Sequence, residues 1–218
     1  MIWDNSFALS VLPQIAQGLE ATVLITIAGT IIAMCLGLGL AIMRRSRMKW
    51  ISLPAEAFVE FVRDTPLLVQ LYFLYFGLPV FGINLSALVT GMIGIGINYS
   101  AYTAEVYRAG IESIPRGQWE AARALNFSHG QTWVRIILPQ AIRKVIPALG
   151  NYLIAMFKDT PILASIGVLE MLEQAQIVGS QSFRYLEPMT EVGLLFILVS
   201  YPASLLIRGL EARYGRAK

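Results

Sequence analysis

Apolar positions in this chain come in uninterrupted blocks, broken by short polar stretches, rather than as one face of amphipathic elements. Residues 21–43 contain no charged side chain, and neither do residues 65–104. Each block reaches the roughly 20 apolar residues a helix needs to cross a bilayer. GLPVFGIN (77–84) carries turn residues inside the second block and divides it into two crossings. Period-two alternation, the mark of a β-barrel, is absent. The pattern predicts an all-α integral membrane protein of five transmembrane helices. Span 1 is 21–43, with Gly29, Gly37 and Gly39 permitting close helix approach. Span 2 opens amphipathic as PAEAFVEFVRD and turns apolar through LLVQLYFLYFG. Span 3 is 85–107, span 4 is 145–166 with KDTP interrupting it, and span 5 is 191–207. Residues 168–188 are helical in pattern but too polar to cross.

Composition agrees with this reading: 56% of residues are hydrophobic and 14% charged, against about 25% charged in soluble domains. The basic residues are sorted by loop. Fourteen of the fifteen Lys and Arg residues outside the spans fall on one side when five spans are drawn; the exception is Arg184. The positive-inside rule makes that side cytoplasmic, so the N-terminus is expected outside and the C-terminus inside. Residues 1–21 hold no Lys or Arg, unlike a signal peptide. They read as an interfacial segment with Trp3 and Phe7 among the headgroups. The single cysteine, Cys35, reads as a packing residue and the lone His129 as a surface residue; no metal site is expected.

Two segments echo one another: FVRDTPLL (61–68) and MFKDTPIL (156–163), in spans 2 and 4. Both spans run in the same direction, so the repeat is parallel. Proline lacks the helical donor and disfavours helix in the residue before it, so each copy should kink or open its helix. The freed backbone groups must then face protein or water. Two readings of the charges follow. Arg63 with Asp64, and Lys158 with Asp159, can neutralise each other and pin the break as structural or gating charges. Alternatively the breaks line a solute path, with Asp64 and Thr65 nearest mid-membrane, Asp159 at the second copy, and Asn98, Tyr99 and Asn151 at similar depth. A single amide in such a helix also serves as interhelical glue.

Residues 117–140 form the one long polar stretch between spans, on the expected cytoplasmic side between spans 3 and 4. Pro115 can start a first helix, and residues 120–125 are strong helix formers. Asn126 is its expected stop, because Asn tolerates the left-handed conformation. Ser128 can cap a second helix with Gln131 at the capping-box position, and the pair should end near Pro139. Trp119 and Trp133 supply aromatic anchors. This is the equipment of a docking surface.

Glu120, Ala121 and Ala122, then Asn126, then Ile136, Leu138 and Pro139 resemble the cytoplasmic signature of ATP-binding-cassette importer permeases. The family usually has Gly where Asn126 stands. RDTPLLVQLYF, SAYTAEVYRAGIESIPRGQWEAA and LPQAIRKVIPALGNYLIAMFKDTP are similar to its polar amino acid branch. Within that branch YTAEVYRAG, GQWEAA, ALGNY and FRYLEP look most like ectoine and hydroxyectoine permeases. The resemblance implies one type I transmembrane domain over 1–218 in a bacterial inner membrane, with 112–139 as its coupling region. It further implies a solute-binding protein outside, a second permease chain, alike or identical, and an ATPase dimer inside that carries ATP and Mg. Glu120 would contact that ATPase, and Ala121 and Ala122 would let the backbones approach. This chain itself would be no enzyme, and it contains no GxxxxGK[ST] phosphate loop. A competing class is an ion-coupled secondary transporter using Asp64 or Asp159, although such folds commonly show inverted repeats. A membrane enzyme would need a catalytic cluster, which the sequence does not supply.

Overall fold

The computed structural model describes residues 3–214, and every regular element among them is helical. α1 (Asn5–Arg44) is a single helix of 40 residues. Asp4 starts it: Oδ1 accepts the Ser6 and Phe7 backbone N–H groups at 2.9 and 3.3 Å, filling donors that a helix start leaves open. The interfacial segment and the first span, expected as separate pieces, are therefore continuous. Pro13 removes one backbone donor, too little to end a helix held by α8 (Met171–Ser182) and α9 (Leu186–Tyr214).

α2 (Lys49–Asp64) and α3 (Leu67–Tyr72) are two arms of a broken element. α3 continues as a π turn (Phe73–Gly77) and a 3₁₀ turn (Leu78–Phe81), and this arm meets α2 at 107°. α4 (Ala87–Glu112) then lies along α1. The two backbones are close: Thr103 Oγ1 donates to the Ala33 carbonyl at 2.7 Å. A Cβ at Gly37 would stand 2.8 Å from the Ser100 carbonyl oxygen, and one at Gly96 would stand 2.6 Å from Ile32 Cβ. Gly29 also faces α4, against Ile95, whereas Gly39 has nothing within 4 Å. Two residues on from Gly37, Gly39 points to the opposite side of the helix.

α5 (Arg116–Ala124) and α6 (His129–Thr132) follow. α6 does not stop near Pro139 as expected. It passes through a π turn (Trp133–Ile137) directly into α7 (Leu138–Asp159). Pro139 falls in the first turn of α7, where its missing N–H costs little, and the π turn absorbs the change of register. α7 extends as a 3₁₀ turn (Thr160–Ile166) before α8 and α9.

The central core joins Ile25, Leu71, Ile95, Met156 and Leu163, drawn from α1, α3, α4, α7 and the 3₁₀ turn. Where the surroundings are lipid, such contacts hold through close packing rather than through exclusion of water. Leu24, Ile27, Ile31, Leu38 and Ile42 form an exposed apolar stripe on α1, matched by Leu194, Ile197, Leu198 and Leu205 on α9. α1 and α9 are long and apolar enough to cross a membrane, and the count rises to four if each of two bent pairs is one crossing. α4 has the length, 26 residues, but its uncharged part, 87–104, is diluted by Asn98 and by glycines and hydroxyl-bearing residues.

Candidate functional site

The α2–α3 break opens onto a cavity of about 460 Å³ between α4 and α7. Arg63, Asp64 and Thr65 come from the break, Asn98, Tyr99 and Tyr102 from α4, and Tyr152 and Asp159 from α7. Asn98 and Tyr102 stand four residues apart, and Tyr152 and Asp159 seven, so each pair shares a helix face. Proline 66 frees the carbonyl of Val62, and Gln70 Nε2 donates to it at 2.8 Å. The same amide nitrogen reaches the Thr65 carbonyl at 3.1 Å and Thr65 Oγ1 at 2.8 Å. Gln70 Oε1 in turn accepts from Asn98 Nδ2 at 3.3 Å. The break is thus tied to α4 by a closed set of hydrogen bonds.

Across the cavity the Tyr99 hydroxyl donates to Asp159 Oδ2 at 2.6 Å. The rings of Tyr99, Tyr102 and Tyr152 lie with centroids 5.8–5.9 Å apart and form one aromatic wall. Arg63 places its guanidinium carbon 5.9 Å from the centre of the Tyr102 ring and Nη1 3.6 Å from Glu105 Oε1. Glu105 is gripped from three helices. Arg44 on α1 donates to Oε1 at 2.5 Å, and Arg108 on α4 donates twice to Oε2, at 2.9 and 2.7 Å. Arg63 on α2 supplies the third cation.

Five of the six residues expected on a solute path line this cavity: Asp64, Thr65, Asn98, Tyr99 and Asp159. Asn151 lies elsewhere. Its Nδ2 donates to Glu211 Oε1 at 2.8 Å, so it faces α9. The self-neutralising pairs do not form among the described residues. Arg63 turns to Glu105 instead of Asp64, and Lys158 is exposed and makes no ion pair with Asp159. Neighbours along a helix point about 100° apart and do not face one another. Sequence reasoning missed Tyr102, Tyr152, Gln70 and Glu105. Helical spacing from Asn98 and Asp159 was a signal for the two tyrosines; nothing local marked Glu105.

The polar stretch has the local chemistry expected of it. Pro115 precedes α5, Asn126 is left-handed at φ 55°, and Ser128 and Gln131 form a reciprocal capping box. Trp119 and Trp133 meet edge to face at 5.2 Å over Ile114, Ile137 and Ala141. Trp133 Nε1 donates to His129 Nε2 at 3.0 Å, and no cluster of metal-ligating side chains occurs among the described residues. Ala122 is buried and Ile136 half-buried. Glu120, Ala121, Asn126, Leu138 and Pro139 face outward, beside the exposed Leu125 and Val134. With Arg116, Arg123 and Arg135 also exposed, the stretch presents a mixed charged and apolar surface, more basic than acidic.

A helical membrane bundle with a polar cavity at a broken helix and an exposed helical foot has the architecture of a solute permease. Residues 33–216 match the family described as the binding-protein-dependent transport system inner membrane component. The chain belongs to that family. It is 44% identical over 211 residues to a probable amino-acid ABC transporter permease protein of Sinorhizobium fredii, covering 94% of this chain and 91% of that one. It is 38% identical over 189 residues to a probable glutamine ABC transporter permease protein of Bacillus subtilis, covering 87% and 86%. The fold superposes with a TM-score of 0.93, at 38% identity and over 98% of this chain and 100% of the other, on the crystal structure of an amino acid ABC transporter with histidines. This chain is thus the permease subunit of an amino acid ABC importer. Such subunits are not themselves enzymes.

Proposed function

We propose that this chain forms the solute pathway of a bacterial inner-membrane importer for a polar amino acid or an ectoine-type compatible solute. The cavity at the α2–α3 break carries the proposal, because it gathers charged and polar groups where two helices and a helix break converge. Five crossings follow: α1, the α2–α3 pair, α4, α7 with its 3₁₀ extension, and α9. The N-terminus lies outside and the C-terminus inside. Residues 1–218 act as one type I transmembrane domain, within which 112–139 is the cytoplasmic coupling region.

A second permease chain, identical or homologous, completes the path. An ATPase dimer carrying ATP and Mg grips the coupling region, and an extracytoplasmic binding protein delivers solute. Glu120 is the charged contact to the ATPase, while Ala121, Asn126, Leu138 and Pro139 shape the approach and Ala122 and Ile136 seat the foot on its base. The glutamine and amino-acid names of the relatives favour an amino acid over an ectoine.

ATP-driven uptake by the reconstituted complex is the test. Glu120→Lys should lower both transport and stimulated ATP hydrolysis at least about tenfold, the loss of roughly one charge-assisted contact at an interface, while membrane insertion is unchanged. Full transport by that variant, or uptake driven by an ion gradient without ATP, would contradict the proposal. Binding of labelled amino acids and ectoine to the partner binding protein selects the solute.

A further inference from the structure

The early turns of α1 and α9 flank a mostly apolar groove of about 680 Å³. Ala8, Leu9 and Leu12 form one side, Leu194 and Leu198 the other, and Glu191 is the only charged side chain among the described lining residues. We propose that this groove holds a phospholipid with an amine headgroup, its ammonium on Glu191 and one acyl chain along the α1–α9 seam. The inference needs α1 and α9 to cross the bilayer, as their length and apolar content allow, and makes no use of the solute path.

Glu191 sets the groove apart from ordinary lipid-facing surface. The residue is only 7% exposed, and its carboxylate accepts no hydrogen bond among the described residues, with Oε2 enclosed. A buried carboxylate without a donor or counter-charge is costly in a membrane protein. Glu187, one turn earlier on the same face of α9, is a like charge already bonded to Arg184 and to the Asp4 backbone N–H. The missing donor must therefore arrive on a molecule whose other half is apolar. Rotation about the last side-chain bond of Glu191 is soft, so either oxygen can meet an ammonium in the groove.

The seam continues inward. A second cavity of about 180 Å³ lies further along it, between Val23, Ile27, Leu153 and Val199. Leu12 and Val23 stand about 16 Å apart along α1, and half of the hydrocarbon core is about 15 Å thick. That is the reach of one acyl chain in one leaflet. At the mouth, Trp3 Nε1 donates to Asn5 Oδ1 at 2.6 Å, and Asn5 Nδ2 makes no hydrogen bond among the described residues, which leaves a donor for the phosphate. A second permease chain that completes the solute path must approach the cavity between α2, α3, α4 and α7, and none of the groove residues belongs to those elements. The groove is thus left to lipid. An ammonium that keeps an N–H can donate to the carboxylate, whereas a quaternary choline nitrogen cannot.

Native mass spectrometry of the delipidated permease–ATPase complex in detergent tests this. Dioleoyl phosphatidylethanolamine, its N-methyl and N,N-dimethyl forms and the phosphatidylcholine are added in equal amounts. The lipids that keep an N–H should be retained about tenfold over the choline lipid, the effect of one charge-assisted contact. Glu191→Gln should bring that ratio close to one, while Leu198→Trp, which fills the groove, should lower retention of every lipid alike. The methylation series decides the question on the unaltered protein even where Glu191→Gln fails to assemble. Equal retention of all the lipids by the unaltered complex overturns the inference, as does a full preference persisting in Glu191→Gln. Separation of the permease chains in that variant, with the lipid ratio unchanged, assigns the groove to a second copy and overturns it too.

Discussion

FVRDTPLL and MFKDTPIL nearly repeat in sequence but differ in backbone. In the first, Thr65 is extended at φ −107°, ψ 137°, and the chain turns through 107°. In the second, Thr160 stays helical at φ −57°, ψ −30°, and the helix tightens into a 3₁₀ turn. Proline disfavours helix before it equally in both, so that bias does not decide the outcome. The partner of the freed carbonyl differs. Pro66 frees Val62, which takes the Gln70 amide across the break. Pro161 frees Phe157, whose carbonyl keeps a backbone partner in the Thr160 N–H and also takes the Thr160 hydroxyl at 2.9 Å, within the same turn. The counterpart of Gln70 is Ser165, too short to span a break, and it bonds the Ile162 carbonyl at 2.6 Å. Leu163 and Ile166 are also buried in the core, which holds the second copy straight. Proline permits the opening; a long amide side chain makes it persist.

Removing that amide should have the largest effect. Gln70→Leu leaves the Val62 and Thr65 carbonyls short of a partner and should cost about 2–6 kcal/mol, at one to three per abandoned group. Ser165→Ala should stay within about 0.5 kcal/mol. Thermal unfolding of the two purified variants in detergent compares them, and equal losses would break the contrast. The prolines come next. Pro66→Ala lets α2 run on, so solute uptake should fall about tenfold as Asp64 and Thr65 turn away from α4, a 1.4 kcal/mol effect. Pro161→Ala should shift stability by less than about 1 kcal/mol and leave uptake intact, because the backbone there is already helical. The smallest effect is expected at Lys158→Gln, within about 0.5 kcal/mol and with normal uptake, as its exposed ammonium has no ion-pair partner among the described residues.

These differences mark how far sequence carried the account. The left-handed Asn126, the Ser128–Gln131 box and the opening at Thr65–Pro66 were legible because a few adjacent residues determine each. The helical class followed from the uncharged blocks. Outcomes that depend on a neighbouring helix were not legible. The repeat offered no sign that only one copy would open, since Gln70 and Ser165 lie outside the shared octet. Asn151 shared the depth of the cavity residues but not their face, and it bonds Glu211 instead. Arg63 has its charge partner 42 positions away at Glu105, a pairing that only the packing of α2 on α4 creates.

The proposed solute path runs between the opened copy and the cavity-facing side of α7, and not along the α7 face that carries Asn151. Cys35 is the single cysteine, so Cys35→Ser gives a background in which one introduced thiol reports alone. Thr65→Cys in the membrane-embedded importer should react with a small water-soluble maleimide, and L-glutamine or L-arginine should slow that reaction. Asn151→Cys should show no such protection. Protection at Asn151 with none at Thr65 would contradict the account.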